Sequence, residues 1–304
     1  MHSLWNFPET GFIEVEGGNI WYRIAGAASP GIPLLALHGG PGVPHAYLES
    51  LSSLSDERPV IYYDQLGCGL SDQPDDPGLW RLDRFVNELE RVIQYLDLRK
   101  VHLLGQSWGT MLAAEYLLTK GSDRTQSLIM AAPVLSVSRW NSDQREHIRS
   151  LPDSVQDVIQ TCEARADFEN PAYQEALMVF YKRFVCRMDP WPELLMASFN
   201  ALSLPVYHTM WGPSEFTQTG NLRHFERAEE MRRIALPTLL TCGEYDEATP
   251  AATAYYQSRM PHAERVVFKD AAHIHHLEKE AAFNRTVRDF LRRNDSRKFA
   301  AASA

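Results

Sequence analysis

The chain has 304 residues, 44% hydrophobic and 23% charged, which is enough to bury the core of one large domain or of one domain with an insertion. A formal net charge of −9 without a basic stripe argues against a nucleic-acid-binding protein. The start resembles no signal peptide, no stretch approaches the length of a membrane span, and the four cysteines show no paired or metal-type spacing, so we expect a soluble cytoplasmic protein.

Strand-like and helix-like segments alternate from the N-terminus to about Pro133. Two strand-like runs within residues 11–25 predict an antiparallel start to a sheet, and apolar runs at 32–37 and 60–63 predict buried strands. Residues 84–98 carry apolar side chains on one helical face, which predicts a helix packed on the sheet. This part of the chain is therefore predicted to form an α/β core.

A glycine-rich loop at residues 38–42 (HGGPG) follows the first buried strand. Acyl transfer by a serine builds an oxyanion, which needs two preorganised backbone N–H donors. If the chain carries such a serine, Gly40 is the best-placed amide of this loop to be one donor. The alternative is a Gly-Pro turn without a chemical role.

The most informative motif is GQSWG at residues 105–109, between an apolar strand-like run and a helix-like run. A serine on a sharp strand-to-helix turn adopts strained backbone angles, and small flanking residues let the strand and the helix approach closely. The bare pattern also arises by chance, but this context is typical of a nucleophile elbow. We therefore predict Ser107 as the nucleophile and the amide of Trp108 as the second oxyanion donor.

In this architecture the acid and the base follow the serine in chain order, each on a loop after a later strand. The run 237–242 predicts a strand that delivers Asp246, and the run 264–268 predicts a strand that delivers His273. We predict Asp246 as the acid and His273 as the base, because a serine hydroxyl is a poor nucleophile until an imidazole takes its proton.

Two further histidines, His275 and His276, stand near His273 and make a metal site an alternative. A metal site also needs thiolate, carboxylate or histidine ligands at suitable spacing, and nothing in the sequence completes such a set. We therefore expect no metal, and the absence of a P-loop or dinucleotide fingerprint gives no reason to expect another cofactor. The two histidines are predicted to begin the last helix.

The pattern becomes mostly helical and unusually aromatic in the second third of the chain. We predict a helical cap at 134–231, inserted into an α/β core formed by 1–133 and 232–304. Most aromatic side chains of the cap are expected to hold its helices together. The candidates for the walls of a small apolar substrate pocket are Tyr207, Trp211 and Phe216.

Five motifs carry a family resemblance: HGGPG at 38–42, DQLGCGLS at 64–71, GQSWG at 105–109, WGPSEF at 211–216 and GEYDE at 243–247. Together they resemble the prolyl aminopeptidases (proline iminopeptidases), most closely the smaller, tricorn-interacting type, over residues 11 to 291. The resemblance implies an α/β-hydrolase fold, with a mostly parallel central sheet flanked by helices and an inserted helical cap. One departure is Thr110, where many relatives carry glycine.

The resemblance also implies that Glu215 and Glu247 bind the free α-ammonium group of the substrate. Two carboxylates on one ammonium give charge-assisted hydrogen bonds of roughly 1.5–3 kcal/mol each. The expected function is a serine aminopeptidase that releases an N-terminal residue, proline or another small or apolar residue, from short peptides. The alternative is an amidase or esterase that acts on small amino-acid amides, esters or lactones with the same triad.

The expected partners are short peptides or amino-acid amides with a free N-terminal amine. No nucleic acid, membrane or cofactor is expected, and the oligomeric state stays open. A hydrolase fold without turnover, acting as a binding protein or scaffold, is disfavoured because Ser107, Asp246 and His273 are all present.

Overall fold

The computed structural model describes residues 4–295, apart from the side chain of Trp5. The sequence also predicts that about the last ten residues are frayed or disordered, and these residues lie almost wholly outside the described range. An eight-stranded sheet forms the centre of the molecule. Its strands are β1 (Thr10–Val15), β2 (Gly18–Ala25), β3 (Leu34–Leu37), β4 (Val60–Tyr63), β5 (Val101–Gln106), β6 (Thr125–Ala131), β7 (Thr238–Gly243) and β8 (Ala263–Phe268).

The spatial order of the strands is β1-β2-β4-β3-β5-β6-β7-β8. The pairs β1–β2 and β2–β4 are antiparallel, as the sequence predicts for the start of the sheet, and the remaining pairs are parallel. Every residue of β3, β5 and β7 is buried, because both faces of the sheet are covered. Leu35 and Leu37 enter one core cluster, whereas Leu34 and Ala36 enter the other.

Helices cover the two faces of the sheet and fill the segment between β6 and β7. The helices outside that segment are α1 (Leu82–Tyr95), α2 (Trp108–Lys120), α8 (Pro250–Arg259), α9 (His275–Glu278) and α10 (Glu280–Asn294). The helices inside it are α3 (Val137–Arg149), α4 (Asp153–Arg165), α5 (Pro171–Phe184), α6 (Glu193–Asn200) and α7 (Leu204–Met210). Short 3₁₀ helices lie at Leu4–Asn6, His45–Leu54, Pro77–Leu79 and Glu230–Arg233.

The segment between β6 and β7 is helical, as predicted, with only isolated β-bridges in place of strands. Helices α4 and α5 form a hydrophobic cluster of their own, which includes Ile159, Tyr173 and Phe180. None of the helices in residues 4–295 is both long and apolar enough to cross a membrane.

The backbone is closely packed where β5 turns into α2. A Cβ atom on Gly109 would lie 2.2 Å from the carbonyl oxygen of Leu37, which is fixed in the neighbouring strand. A Cβ atom on Gly105 would lie 2.3 Å from the carbonyl oxygen of Gly109. Both contacts involve backbone atoms, so a side chain could be accommodated only by moving the strand or the helix.

We expect Gly109→Ala to lower the free energy of unfolding by about 3 kcal/mol, because the added methyl group overpacks a rigid backbone contact. Chemical denaturation followed by circular dichroism measures this. Gly78→Ala is the control, since that glycine is exposed and its nearest neighbour is a side-chain oxygen 3.0 Å away. Equal losses in the two variants would contradict the packing argument.

Candidate active site

Ser107 occupies the sharp turn between β5 and α2. Its backbone φ is 53° and its ψ is −120°, a conformation that residues with a side chain rarely adopt. Its amide N–H donates to the carbonyl of Ala131 at 3.0 Å, and its own carbonyl accepts from the amide of Thr110 at 2.8 Å. These bonds hold the strained turn, and Ser107 lines a cavity between the sheet edge and the helical segment.

Asp246 and His273 follow β7 and β8, and the structure brings them together. His273 Nδ1 lies 2.8 Å from Asp246 Oδ1, and the carboxylate also accepts from the amides of Gly243 at 3.1 Å and Ala248 at 2.8 Å. Burial acts to raise the pKa of Asp246, but its interactions with His273 and His275 outweigh burial and hold it at about 2. The ionised carboxylate orients the ring so that Nε2 faces away from Asp246, and His273 lines the same cavity as Ser107.

The two neighbouring histidines do not begin the last helix; they form the separate short helix α9, and α10 starts only at Glu280. His275 Nε2 lies 2.9 Å from Thr241 Oγ1 and Nδ1 lies 3.6 Å from Asp246 Oδ2, whereas His276 Nε2 donates to the carbonyl of Tyr47 at 3.2 Å. The side chains of His275 and His276 are almost fully buried, so both residues belong to the core of the protein. Within residues 4–295, no group of three or more potential ligands could hold a metal.

The glycine-rich loop and the elbow contribute the two predicted oxyanion donors. Gly40 has a φ of 104° and lines the cavity beside Ser107, and a Cβ atom there would lie 2.6 Å from the amide nitrogen of Gly42. Trp108 is the first residue of α2, where backbone N–H groups have no partner within the helix. Gly40 and Trp108 therefore both lie at the end of the sheet where Ser107 lies, and their role as oxyanion donors remains a prediction.

Glu215 and Glu247 both line this cavity. Tyr207 donates from its hydroxyl to Glu215 Oε1 at 2.6 Å, and Glu247 Oε1 lies 3.6 Å from His273 Nε2. Glu247 is only 1% exposed, and its Oε2 has no hydrogen-bond partner among the described residues. Within residues 4–295, neither carboxylate forms an ion pair with a lysine or an arginine.

The electrostatics of this pair are unfavourable in the free protein. Burial, together with repulsion from Glu215 and Asp246, raises the pKa of Glu247 well above its ordinary value. Burial also raises the pKa of Glu215, although the hydrogen bond from Tyr207 opposes the shift. Two carboxylates of which one is buried and one half-buried, with no lysine or arginine paired to them in residues 4–295, are suited to bind a mobile cation such as an ammonium group.

The aromatic residues around the cavity differ from the three that the sequence suggests. The apolar wall is formed by Tyr181, Val185, Leu195 and Phe199. Neither Trp211 nor Phe216 lines the cavity, so their prediction as walls does not match the geometry. Trp211 and Phe216 lie after α7, outside any helix, and their place beside Glu215 in the sequence does not tell which way their side chains point.

The three suggested residues take other positions. Tyr207 holds Glu215 and lines an adjoining open groove of about 610 Å³. Trp211 packs edge-on against Trp140, whose Nε1 donates to the carbonyl of Glu215 at 2.7 Å. Phe216 packs against Tyr173 and Phe180 in the hydrophobic cluster of α4 and α5. These three aromatic residues therefore stabilise the position of Glu215 or the packing of the helices around it.

Two polar residues that sequence reasoning missed also line the cavity. Tyr47 donates to Gln106 Oε1 at 2.6 Å and accepts from the amide of Gly39 at 2.6 Å, so it links the glycine-rich loop to the elbow. Gln106 Nε2 is buried and has no hydrogen-bond partner in the part of the chain that the structure describes. Gln106 could have been identified from its place in the elbow motif, whereas nothing in the sequence marks Tyr47.

Comparisons with known proteins define first the class and then the family. A family model for the alpha/beta hydrolase fold matches residues 32–280, so this is an α/β hydrolase. A proline iminopeptidase of Heyndrickxia coagulans is 44% identical over 92% of this chain and 98% of its own length. One of Lactobacillus crispatus (strain ST1) is 38% identical over 92% of this chain and 96% of its own length.

A solved structure supports the same family. The crystal structure of a proline iminopeptidase of Mycobacterium smegmatis matches with a TM-score of 0.86 at 32% identity, and the match covers 94% of this chain and 98% of that one. The chain belongs to the proline iminopeptidase family of α/β hydrolases. The fold and the family predicted from the sequence are thereby confirmed.

His273 and His276 are expected to respond differently to substitution. His273→Ala should lower kcat/KM on the order of 10⁴-fold, because it removes the predicted base that is paired with Asp246. His276→Ala should retain most of the activity while losing stability, since burial lowers the pKa of His276 to about 3 and, within residues 4–295, the ring hydrogen-bonds only to the carbonyl of Tyr47. Steady-state kinetics and thermal unfolding of both variants test this, and similar activity losses would exclude His273 as the base.

Proposed function

We propose that this protein is a serine aminopeptidase that releases an N-terminal residue, proline or another small or apolar residue, from short peptides. The observation that carries the proposal is the pair formed by the half-buried Glu215 and the buried Glu247, which line the same cavity as Ser107 and His273. Within residues 4–295 neither of the two forms an ion pair with a lysine or an arginine. An exopeptidase must recognise a free amine close to the scissile bond. Membership of the proline iminopeptidase family supports the same activity.

In the proposed reaction, the substrate ammonium binds between the two carboxylates and the first side chain lies against Tyr181 and Phe199. Ser107 Oγ attacks the first carbonyl carbon while His273 Nε2 takes its proton, and the oxyanion accepts from the amides of Gly40 and Trp108. His273 then protonates the leaving amine, which departs and leaves an acyl-enzyme. Water, deprotonated by His273, hydrolyses the ester and releases the free amino acid.

The helical segment has a defined part in this proposal. We assign 134–231 as a cap on a core formed by 1–133 and 232–304. The cap contributes Glu215 and the apolar wall, and the core contributes the nucleophile, the base and Glu247. Substrate selection and bond cleavage therefore reside on different parts of the chain, which meet at the cavity.

We expect Ser107→Ala to lose on the order of 10⁴-fold or more in kcat/KM without loss of fold, because the hydroxyl is the attacking atom. A panel of aminoacyl anilides of proline, alanine, leucine and phenylalanine measures the activity, beside N-acetylated versions and a simple acyl ester. Wild-type-like turnover by the alanine variant would exclude the serine mechanism. Equal cleavage of acetylated and free-amine substrates would favour the amidase or esterase alternative.

The carboxylate pair has its own test. Glu215→Gln and Glu247→Gln should each lower kcat/KM for free-amine anilides by about 10- to 150-fold, in keeping with roughly 1.5–3 kcal/mol per charge-assisted bond. Hydrolysis of the uncharged ester should change much less. A loss at Glu247→Gln that extends equally to the ester would instead show that the triad beside it is disturbed, since Glu247 lies 3.6 Å from His273 Nε2.

The pair also predicts a pH effect. Because the pKa values of Glu215 and Glu247 are raised, these groups take up protons at a higher pH than ordinary carboxylates and lose the charge that holds the ammonium. The ratio of kcat/KM for a free-amine anilide to kcat/KM for the uncharged ester should therefore fall as the pH drops into the weakly acidic range. Any effect of pH on the chemical step acts on both substrates and cancels in the ratio. A ratio independent of pH would contradict amine binding by these carboxylates.

A further inference from the structure

The DQLGCGLS motif, which begins at the residue after β4, has no role in the reaction described so far. Its second residue, Gln65, is 1% exposed and lies between the elbow and the glycine-rich loop. Gln65 Oε1 accepts from the indole N–H of Trp108 at 2.8 Å, and Gln65 Nε2 donates to the carbonyl of His38 at 3.3 Å. One side chain thus bridges the two segments that carry the predicted oxyanion donors.

The backbone of Gln65 makes a second link to the loop through the ring of His38. The amide N–H of Gln65 donates to His38 Nε2 at 2.9 Å, so the ring proton lies on Nδ1, which donates to the carbonyl of Gly39 at 3.1 Å. Burial lowers the pKa of His38 to about 4, so the ring stays neutral and keeps this tautomer near neutral pH.

The bond to Gly39 determines where the amide of Gly40 points. The carbonyl of Gly39 and the N–H of Gly40 belong to one planar peptide unit, and in a trans peptide they point in opposite directions. A ring that holds the carbonyl on one side therefore holds the N–H on the other. A glycine-rich loop has little intrinsic stiffness, so this orientation has to come from neighbouring side chains.

We propose that Gln65 is a positioning residue that sets the oxyanion hole: it holds Trp108 through its side chain and orients the Gly39–Gly40 peptide through His38. The inference rests on the proposed serine mechanism. Oxyanion donors act only when they lie within hydrogen-bond distance of the developing charge, and a misplacement of about 1 Å costs on the order of 10²-fold in rate. Glutamine suits this position because one short side chain supplies both an acceptor and a donor.

The test is Gln65→Leu, which keeps similar bulk and removes both side-chain hydrogen bonds. We expect kcat for a free-amine anilide to fall by about 10- to 100-fold with KM little changed, because the carboxylates and the apolar wall still bind the ground state. Affinity for an α-amino trifluoromethyl ketone, whose adduct with a serine carries an oxyanion, should fall by a similar factor. Trp108→Phe, which removes only the indole N–H, should give a smaller loss of the same kind and serves if Gln65→Leu fails to fold.

Ser71→Ala is the matched control from the same motif. Ser71 Oγ donates to the carbonyl of Asp64 at 2.5 Å and accepts from the amide of Trp21 at 2.8 Å, so it anchors the loop without touching either donor segment. This variant should lose thermal stability while kcat and inhibitor affinity stay within about threefold. If it loses as much kcat as Gln65→Leu, loop stability explains the effect and the proposal is overturned.

Two further outcomes separate this proposal from the mechanism on which it rests. If the wild-type enzyme binds the ketone and Ser107→Ala does not, but Gln65→Leu and Trp108→Phe keep full kcat and affinity, only the role of Gln65 is wrong. If the ketone fails to bind the wild-type enzyme and Ser107→Ala stays active, the serine mechanism itself is wrong, and the role of Gln65 falls with it.

Discussion

The strained turn at Ser107 is the constraint on which the rest of the site depends. Ser107 is held at a φ of 53° where β5 and α2 approach so closely that neither Gly105 nor Gly109 has room for a Cβ atom. The sheet that carries this turn is buried on both faces, and its packing stabilises the strained conformation. Because β3, β5, β7 and β8 run in the same direction, the loops that follow them meet at one edge, where the serine lies.

Three carboxyl groups, those of Asp246, Glu215 and Glu247, lie close to that edge of the sheet. Asp246 is kept ionised by His273 and by backbone amides, whereas the burial of Glu215 and Glu247 raises their pKa values. The difference lies in the partners: in the described chain, Asp246 has an imidazole and two N–H donors, but Glu247 has an oxygen with no hydrogen bond at all. A cationic substrate would relieve that imbalance, so the same burial that destabilises the free site favours an amine in it.

The chain order of the elements explains how much of the site could be predicted. Asp246 and His273 could be proposed as acid and base because each lies in the loop after a predicted strand, and parallel strands deliver their loops to one edge. The fold class followed from the same alternation and from the five motifs. The walls of the cavity could not be predicted, because the sequence marks the cap as rich in aromatic residues but not which of them face the cavity. Only the packing of the cap separates the supporting residues Trp211 and Phe216 from the lining residues Tyr181 and Phe199.

The sequence by itself determined the family, the buried strands, the elbow and the order of the candidate triad, because these depend on local pattern and on spacing along the chain. Only the tertiary structure decided which side chains share a cavity, why His275 and His276 are core residues, and how Gln65 joins two segments more than sixty residues apart. Such contacts depend on how elements cross in space. Hydrogen bonds between distant residues leave no periodicity in the sequence, so no local pattern could have revealed them.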